Sequence, residues 1–306
     1  MRSARGEFTV GICATGEPPS VAELVSSILA ESQSTTYLMR KLVIVASECP
    51  DETISSLRAL QRVDGRIDLL VEETRRGKAD AVNKILGRSE TPLVLFANSD
   101  SRPKAGAITS LLFSMESDER IGAVSAIPEP ESSSGLVPLL LGFMWTAHNR
   151  CSVALNHMGV SNHSCDELVL FRTRAITLLP KNIVNDGAFL ASTARLRGFS
   201  IKVSTAAGVR IKTPRRISDV ILQRRRILFG HAQVWRQVGT PPKTIESLLF
   251  LSPSIGIRLL VATLASRPKS LVVLPIALVS EVLAGLLSIV DVLRSSKVHA
   301  VWRRFK

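Results

Sequence analysis

The chain is poor in cysteine and in large aromatic residues. Its 306 residues include four cysteines, three tryptophans and one tyrosine. The cysteines are widely spaced and form no Cys-x-x-Cys pair, so they give little support for a structural zinc site. We expect free thiols, mostly buried, in a reducing compartment. The scarcity of tryptophan and tyrosine leaves few side chains on which bases could stack, which weighs against a protein that only binds nucleic acid.

Other signals are missing as well. Residues 1–7 form a short, charged segment and no apolar h-region follows them, so we do not expect a secretory signal. There are no internal repeats. The histidines are too dispersed to indicate a metal site, and no Ser-His-Asp order is recognisable; they include His148, His157, His163 and His231.

The chain is, by contrast, strongly basic and rich in apolar residues. It carries 39 Lys+Arg against 26 Asp+Glu, a net charge of +13, and 45% of its residues are hydrophobic. Such a positive excess favours an anionic partner: a nucleic acid, a phosphorylated ligand or an anionic lipid surface. The apolar fraction is enough for a full core, and the length suits one large α/β domain or two smaller ones.

Short apolar runs alternate with helical patterns along much of the chain. This rhythm predicts an α/β fold, a doubly wound and mostly parallel sheet with flanking helices and right-handed crossovers. Residues 217–235 indicate a strongly basic helix or pair of helices. The predicted strands are residues 8–14, 42–46, 67–71, 93–97, 121–127, 168–172, 200–204 and 209–212.

The most informative junction is the fourth strand, residues 93–97, which runs directly into Asn98-Ser99-Asp100. It places a carboxylate at the carboxyl edge of the sheet, where open α/β sheets hold their ligands. Asp100, with Asn98 as a neutral oxygen donor, would suit Mg²⁺ or Mn²⁺ shared with a diphosphate. The same residue types also favour an ordinary turn or helix N-cap.

Two polar clusters flank that junction along the chain. Arg75-Arg76-Gly77-Lys78 would contact a diphosphate by charge and by close backbone approach at the glycine, or would form a solvated basic loop. Asn185-Asp186 precedes a predicted helix. It would place a general base beside a bound acceptor, or would simply cap that helix.

A third cluster, Gln223-Arg224-Arg225-Arg226, lies in the basic helix. Gln223 and Arg226 are three residues apart and share nearly one helical face. Arg226 would hold a diphosphate leaving group, and Gln223 would hydrogen-bond an acceptor hydroxyl. A basic helix face on anionic lipid or nucleic acid explains the cluster equally well.

The C-terminal part of the chain contains two apolar stretches. The second, residues 271–293, is about as long as the roughly 20 residues that a bilayer-spanning helix needs. Glu281 in its middle requires a partner or a neighbouring helix. The first, residues 247–265, is broken by Pro253 and carries Arg258, so a helix in the membrane plane suits it better.

These stretches predict a membrane-associated segment over residues 245–306, peripheral or anchored by its helices at the cytoplasmic face of the cell membrane. The alternative is two core helices packed on a soluble domain. A basic tail follows that would sit on anionic headgroups; it consists of Arg294, Lys297, Arg303, Arg304 and Lys306.

Taken in order, the clusters resemble those of the family 2 inverting glycosyltransferases of the membrane-associated type, which have a GT-A fold. The resemblance covers about residues 8–240, and residues 1–240 would form the catalytic domain. Three stretches lie where the family has its DxD-type metal motif, its ED-type motif and its QxxRW motif: Asn98-Ser99-Asp100, Asn185-Asp186 and Gln223–Ile227. Gly77-Lys78, with Ala81 and Asn83, matches a GK-x-x-A-x-N stretch.

The resemblance implies transfer of a sugar from a nucleotide-diphosphate sugar to a hydroxyl or lipid-phosphate acceptor, lipid-linked or part of a glycan of the cell envelope. Asp186 would be the catalytic base, and Asp100 would hold Mg²⁺ or Mn²⁺. The implied donor-binding residues are Glu17, Asp51, Gly77, Lys78, Asn83, Asn98, Asp100 and Arg226. The residues implied to contact or support the acceptor are Asn185, Gln223, His148 and Arg150.

The sequence departs from the family pattern at three of these motifs. Asn98 replaces the first aspartate of the metal motif, Asn185 replaces a glutamate, and Ile227 replaces a tryptophan. Ala46-Ser47 stands where many members have two aspartates. A catalytically weakened homologue that binds sugar nucleotides is therefore the main alternative, and a basic nucleic-acid-binding protein is the other.

Overall fold

The structure is a computed structural model that describes residues 6–15, 18–131, 134–294, 299 and 301. Its eight strands are β1 Glu7–Ala14, β2 Leu38–Ser47, β3 Ile67–Glu72, β4 Leu93–Asn98, β5 Arg102–Pro103, β6 Ile121–Pro130, β7 Leu168–Arg172 and β8 Ser200–Ile211. Its ten α-helices are α1 Pro18–Ser34, α2 Asp51–Val63, α3 Lys78–Leu86, α4 Ala107–Glu116, α5 Leu136–His157, α6 Asp186–Leu196, α7 Ile217–Val238, α8 Ile245–Leu251, α9 Pro253–Ser266 and α10 Leu274–Arg294.

All eight strands form one sheet in the order β3-β2-β1-β4-β7-β6-β8-β5. Six of them run parallel, whereas β7 is antiparallel to both of its neighbours and β5 is antiparallel to β8. The mostly parallel α/β sheet is therefore confirmed, with two reversed strands added. Because β7 is reversed, its first residues lie at the edge where the parallel strands end.

Helices cover both faces of the sheet because alternate strand residues point to opposite sides. On one face Val10 and Ile44 pack among side chains of α1, α2 and α4. On the other face Val43 and Phe96 pack against α3 and α6. This two-sided burial explains why the strands read as nearly continuous apolar runs.

Some elements differ from the sequence-based expectation. The two predicted strands at residues 200–204 and 209–212 are one strand, β8, whose pairing with β6 shifts register between Ser125 and Ile127. The four cysteines are free thiols, as predicted, although only Cys151 is fully buried and the other three are half-buried.

The C-terminal helices pack against α5 and α7. The charged residues of α7 and α10 meet in ion pairs: Arg224 Nε lies 2.5 Å from Glu281 Oε1, and Arg225 Nη2 lies 2.5 Å from Asp291 Oδ1. Glu281 thus has the partner that its apolar surroundings require. Arg294 ends α10. The other members of the predicted basic tail, Lys297, Arg303, Arg304 and Lys306, lie outside the described residues.

Candidate active site

Three elements bring charged side chains together at the carboxyl edge of the sheet. Lys78 begins α3, Asp186 begins α6, and Asp166 lies two residues before β7. The Nζ atom of Lys78 is 3.0 Å from Asp186 Oδ1 and 3.9 Å from Asp166 Oδ2. Together with Cys13 and Asn98, at the ends of β1 and β4, the three side chains line a small cavity. The predicted Lys78 and Asp186 are therefore neighbours in space.

Gly77 shapes the entry to α3. Its φ of 99° lies in the left-handed region, which favours glycine. The turn presents Lys78 as the first residue of the helix, with its ammonium toward the two carboxyl groups. Burial opposes the charge on Lys78, but the charges of Asp186 and Asp166 outweigh it and raise the pKa of the Lys78 ammonium. Lys78 is therefore a permanent cation in this site.

Asp166 rests on the first turn of α6. The backbone N–H of Gly187 donates to its carboxyl group, and a Cβ atom at Gly187 would lie only 1.7 Å from Asp166 Oδ1. Burial and the charge of Asp186 raise the pKa of Asp166 to about 8, although Lys78 pulls in the opposite direction. Asn185 caps the same helix, since its Oδ1 accepts from the Ala188 N–H at 3.2 Å.

Asn98 and Glu167 face each other across β4 and β7. The Asn98 Nδ2 atom donates to Glu167 Oε2 at 3.0 Å, and the Asn98 N–H donates to the Glu167 carbonyl at 3.2 Å. The Ser101 hydroxyl lies 2.8 Å from that carbonyl and 3.3 Å from Glu167 Oε2. Burial and the charge of the exposed Asp100 raise the pKa of Glu167, while the Asn98 amide opposes the shift. The turn that carries Asp100 is thus fastened to Glu167.

The side chains of Gln223–Arg226 on α7 lie in two different environments, the candidate site and the contact with α8 and α10. Arg226 faces the site: burial lowers the pKa of its guanidinium, and the charges of Asp186, Asp166 and Glu167 oppose that shift. Gln223 lies half-buried on α7, three residues before Arg226. In contrast, Arg224 and Arg225 are engaged by the acidic side chains of α8 and α10, where Arg224 Nη2 lies 2.5 Å from Glu246.

Several predicted donor-binding residues lie outside this group. The Asn83 amide donates to the Leu179 carbonyl at 2.9 Å and accepts from its N–H at 2.7 Å, so it holds the loop at Leu179 against α3. Asp51 is exposed and lines an open cleft of 390 Å³ beside the ends of β2 and β3; the cleft is also lined by Glu48, Cys49, Arg58, Glu72 and Glu73. Glu17 lies outside the described residues.

His148 and Arg150 lie on α5, and His148 lies within reach of the charges of Glu246 and Arg224. The His148 ring meets His163 edge to face at 5.8 Å, and His163 meets His231 at 5.3 Å. Burial lowers the pKa of both His148 and His231 to about 4, so both rings are neutral at physiological pH. Arg150 Nε is buried and has no hydrogen-bond partner within the described part of the chain.

The sequence pattern did not single out Asp166 and Glu167. Their only signal is an acidic pair directly before the apolar run 168–172. Residues before a strand reach the carboxyl edge of the sheet only if that strand is reversed, and the run itself does not show its direction.

The comparisons with known proteins agree with this geometry. A mannosyltransferase from Pyrobaculum calidifontis, solved with GDP-Man and Mn²⁺, superposes with a TM-score of 0.66 at 18% identity, covering 94% of this chain and 87% of that one. Glucosyl-3-phosphoglycerate synthase from Mycobacterium tuberculosis, solved with Mn²⁺, UDP and phosphoglyceric acid, superposes with a TM-score of 0.51 at 17% identity, covering 78% and 80%. These likenesses confirm the predicted GT-A type of fold.

Sequence comparison supplies the family. A search of curated proteins found no match. The family model described as "Glycosyl transferase family 2" matches residues 9–177, which include Lys78, Asp100, Asp166 and Glu167. Because that match covers more than half of the chain, the protein belongs to glycosyl transferase family 2.

Proposed function

We propose that the protein is an inverting glycosyltransferase that moves a sugar from a nucleotide-diphosphate sugar to an acceptor hydroxyl. The observation that carries the proposal is the contact between Lys78 and Asp186, whose charged atoms lie 3.0 Å apart. The Lys78 ammonium holds the Asp186 side chain in place at the first turn of α6. A carboxylate fixed in this way at the edge of the sheet is suited to accept a proton from an acceptor hydroxyl.

The reaction would be a single displacement at the sugar C1. As the acceptor oxygen forms its bond to C1, Asp186 takes the hydroxyl proton, and the bond from C1 to the diphosphate oxygen breaks. General-base catalysis of this kind contributes roughly 10²–10⁴-fold. Lys78 and Arg226 would stabilise the negative charge that develops on the nucleoside diphosphate.

The residues around Asp100 fit a divalent cation. The structures of the mannosyltransferase and of the synthase contain Mn²⁺. Here the Asp100 and Glu167 carboxylates and the Asn98 amide provide the hard oxygen donors that Mg²⁺ and Mn²⁺ prefer. A bound ion would neutralise part of the diphosphate charge. The nucleoside would occupy the 390 Å³ cleft beside β2 and β3, where Asp51 lies.

We propose that the enzyme is membrane-associated, at the cytoplasmic face. The membrane contact is supported by α10, which exposes its large apolar side chains and buries its small and charged ones. Its buried residues are small or charged: Ala277, Ser280, Ala284, Ser288 and Asp291. Its exposed residues are large aliphatics: Leu278, Val279, Val282, Leu283, Leu286, Leu287, Ile289, Val290 and Leu293. A helix on the surface of a soluble domain shows the opposite pattern.

The helix has 21 residues and a mean hydropathy of 2.2, enough to cross a membrane by length and composition. Residues 245–306 would then form a membrane-facing segment attached to the catalytic domain of residues 1–240. A lipid-linked or glycan acceptor would approach from this side.

Flotation with anionic phospholipid vesicles tests the membrane assignment. The double variant Val282→Glu/Leu286→Glu changes two side chains that are 62% and 58% exposed, so it should lose vesicle binding without unfolding. Val63→Glu, at an 87% exposed position on α2, is the matched control. Equal flotation of both variants would remove the case for lipid contact through α10.

A thermal-shift screen of nucleotide sugars with Mn²⁺, followed by a transfer assay on the stabilising donor, tests the activity. We expect one class of nucleotide sugar to raise the melting temperature and to be consumed with inversion at C1, detected by NMR of the product. A donor that binds but is never turned over, with hydroxyl or lipid acceptors, would favour the weakened homologue.

A further inference from the structure

The most informative feature outside the expected motifs is the contact between Asn98 and Glu167. Asn98 occupies the position where the metal motif would carry its first aspartate. We propose that Glu167 supplies the missing carboxylate from the neighbouring strand, so that Asp100 and Glu167 together hold the divalent cation. This inference rests on the proposed function and adds a ligand that the motif itself does not contain.

The register of the sheet brings the two side chains together. Ala97 of β4 pairs with Leu168 of β7 in antiparallel orientation, which sets Asn98 opposite Glu167. The 3.0 Å hydrogen bond from Asn98 Nδ2 then fixes the Glu167 carboxylate beside the position of the missing aspartate. The Glu167 carboxylate of β7 therefore lies close to the place that an aspartate at position 98 of β4 would occupy.

The negative charges of Asp100 and Glu167 favour a bound cation. Within the described residues, no lysine or arginine lies within ion-pair distance of Asp100 or Glu167, although Lys78 acts on Glu167 from further away. A bound divalent cation would offset the negative charge of these two carboxylates. The Ser101 hydroxyl and the Asn98 amide hold Glu167 in place before any ion arrives.

A rival explanation is that Glu167 only positions the Asn98–Ser101 turn through hydrogen bonds. Two substitutions separate charge from hydrogen bonding. In Glu167→Gln the new amide oxygen still accepts from Asn98, so the turn persists while one charge is lost. In the swap Asn98→Asp/Glu167→Gln the amide at position 167 donates to the carboxylate at position 98. The hydrogen bond and the net charge are both kept, and the carboxylate returns to β4.

The experiment is a Mn²⁺ titration followed by electron paramagnetic resonance of the free ion, without nucleotide and then with GDP or UDP. We expect Glu167→Gln to weaken Mn²⁺ binding by about tenfold or more, the scale on which metal-site substitutions act. The swap should restore most of the affinity. Glu90→Gln is the control, because this exposed residue lies before β4, at the opposite end of the strand.

Thermal unfolding of each variant shows whether the fold is kept. Wild-type affinity in Glu167→Gln would overturn the proposal. So would weak binding that the swap fails to restore, because the carboxylate would then not be the missing component. Failure of the proposed function would appear differently: the wild-type protein would bind Mn²⁺ in the same titration yet transfer no sugar.

Discussion

Gly187→Ala probes the contact on which the geometry of the site depends. The added Cβ would lie 1.7 Å from Asp166 Oδ1 and 2.7 Å from its Cγ, distances that no real methyl group tolerates. Either Asp166 or the first turn of α6 must therefore move. Overpacking of this kind costs about 1–3 kcal/mol. Loss of the hydrogen bond from Gly187 to Asp166 adds about 1–3 kcal/mol if the carboxyl group stays buried.

The expected outcome is a loss of about 2–6 kcal/mol in the free energy of unfolding, measured by urea denaturation. If the first turn of α6 moves, the proposed base moves with it, because Asp186 directly precedes Gly187. A shift of about 1 Å near the chemistry can lower turnover by roughly 10²-fold. Gly65→Ala is the matched control, since a Cβ there meets nothing within 4 Å.

A double-mutant cycle identifies the cause. An Asp166→Ala background removes the two atoms that the methyl group at position 187 would overlap and leaves the Ser164 hydroxyl at 3.4 Å, an ordinary contact. Gly187→Ala should therefore cost much less there than in the wild-type protein. The reasoning is refuted if Gly187→Ala and Gly65→Ala have equal effects, or if Asp166→Ala leaves the cost of Gly187→Ala unchanged.

Three further predictions concern the charged residues. Lys78→Met should lower sugar transfer by at least tenfold and reduce stability by about 3–5 kcal/mol, because Asp186 loses its buried cation; Lys41→Met is a control for both assays. Arg224→Met should cost a similar about 3–5 kcal/mol in urea denaturation, because Glu246 and Glu281 both lose their partner. Arg224 holds the pKa of Glu246 at about 2 against the opposing effect of burial. Its stabilising contribution should therefore be complete above the ordinary glutamate pKa and be lost as the pH falls toward 2, so acid denaturation of the wild-type protein should be steeper than that of Arg224→Met.

Much of the fold follows from local pattern. The strands from residue 8 to residue 97 were predictable because each is a buried apolar run between helical segments. Lys78 and Asp186 were predictable as site residues because both begin helices that follow recognisable turns. Their 3.0 Å contact was not, since it depends on how α3 and α6 are placed on one face of the sheet.

The direction of β7 could not be predicted from the sequence. The run 168–172 has the same apolar character whether it lies parallel or antiparallel to β4. Only its pairing between β4 and β6 shows that Asp166 and Glu167 belong to the carboxyl edge of the sheet. Non-local pairing of this kind leaves no local signature.

Long-range ion pairs also give different partners to residues that are adjacent in the sequence. Gln223-Arg224-Arg225-Arg226 is a single basic run. In the structure Arg224 and Arg225 are engaged by acidic residues of α8 and α10, whereas Arg226 faces Asp186 and Asp166. Helical spacing indicated that Gln223 and Arg226 share a face, but the partners of the other two arginines come from segments 22 to 66 residues away.

The most direct test of the account is sugar transfer by Asp186→Asn with the donor found in the screen. The variant keeps the shape of the side chain and removes its ability to accept a proton. We expect turnover to fall by about 10²–10⁴-fold, while donor binding, measured by calorimetry, stays within a few-fold of wild type. Turnover at the wild-type rate would contradict the assignment of Asp186 as the base.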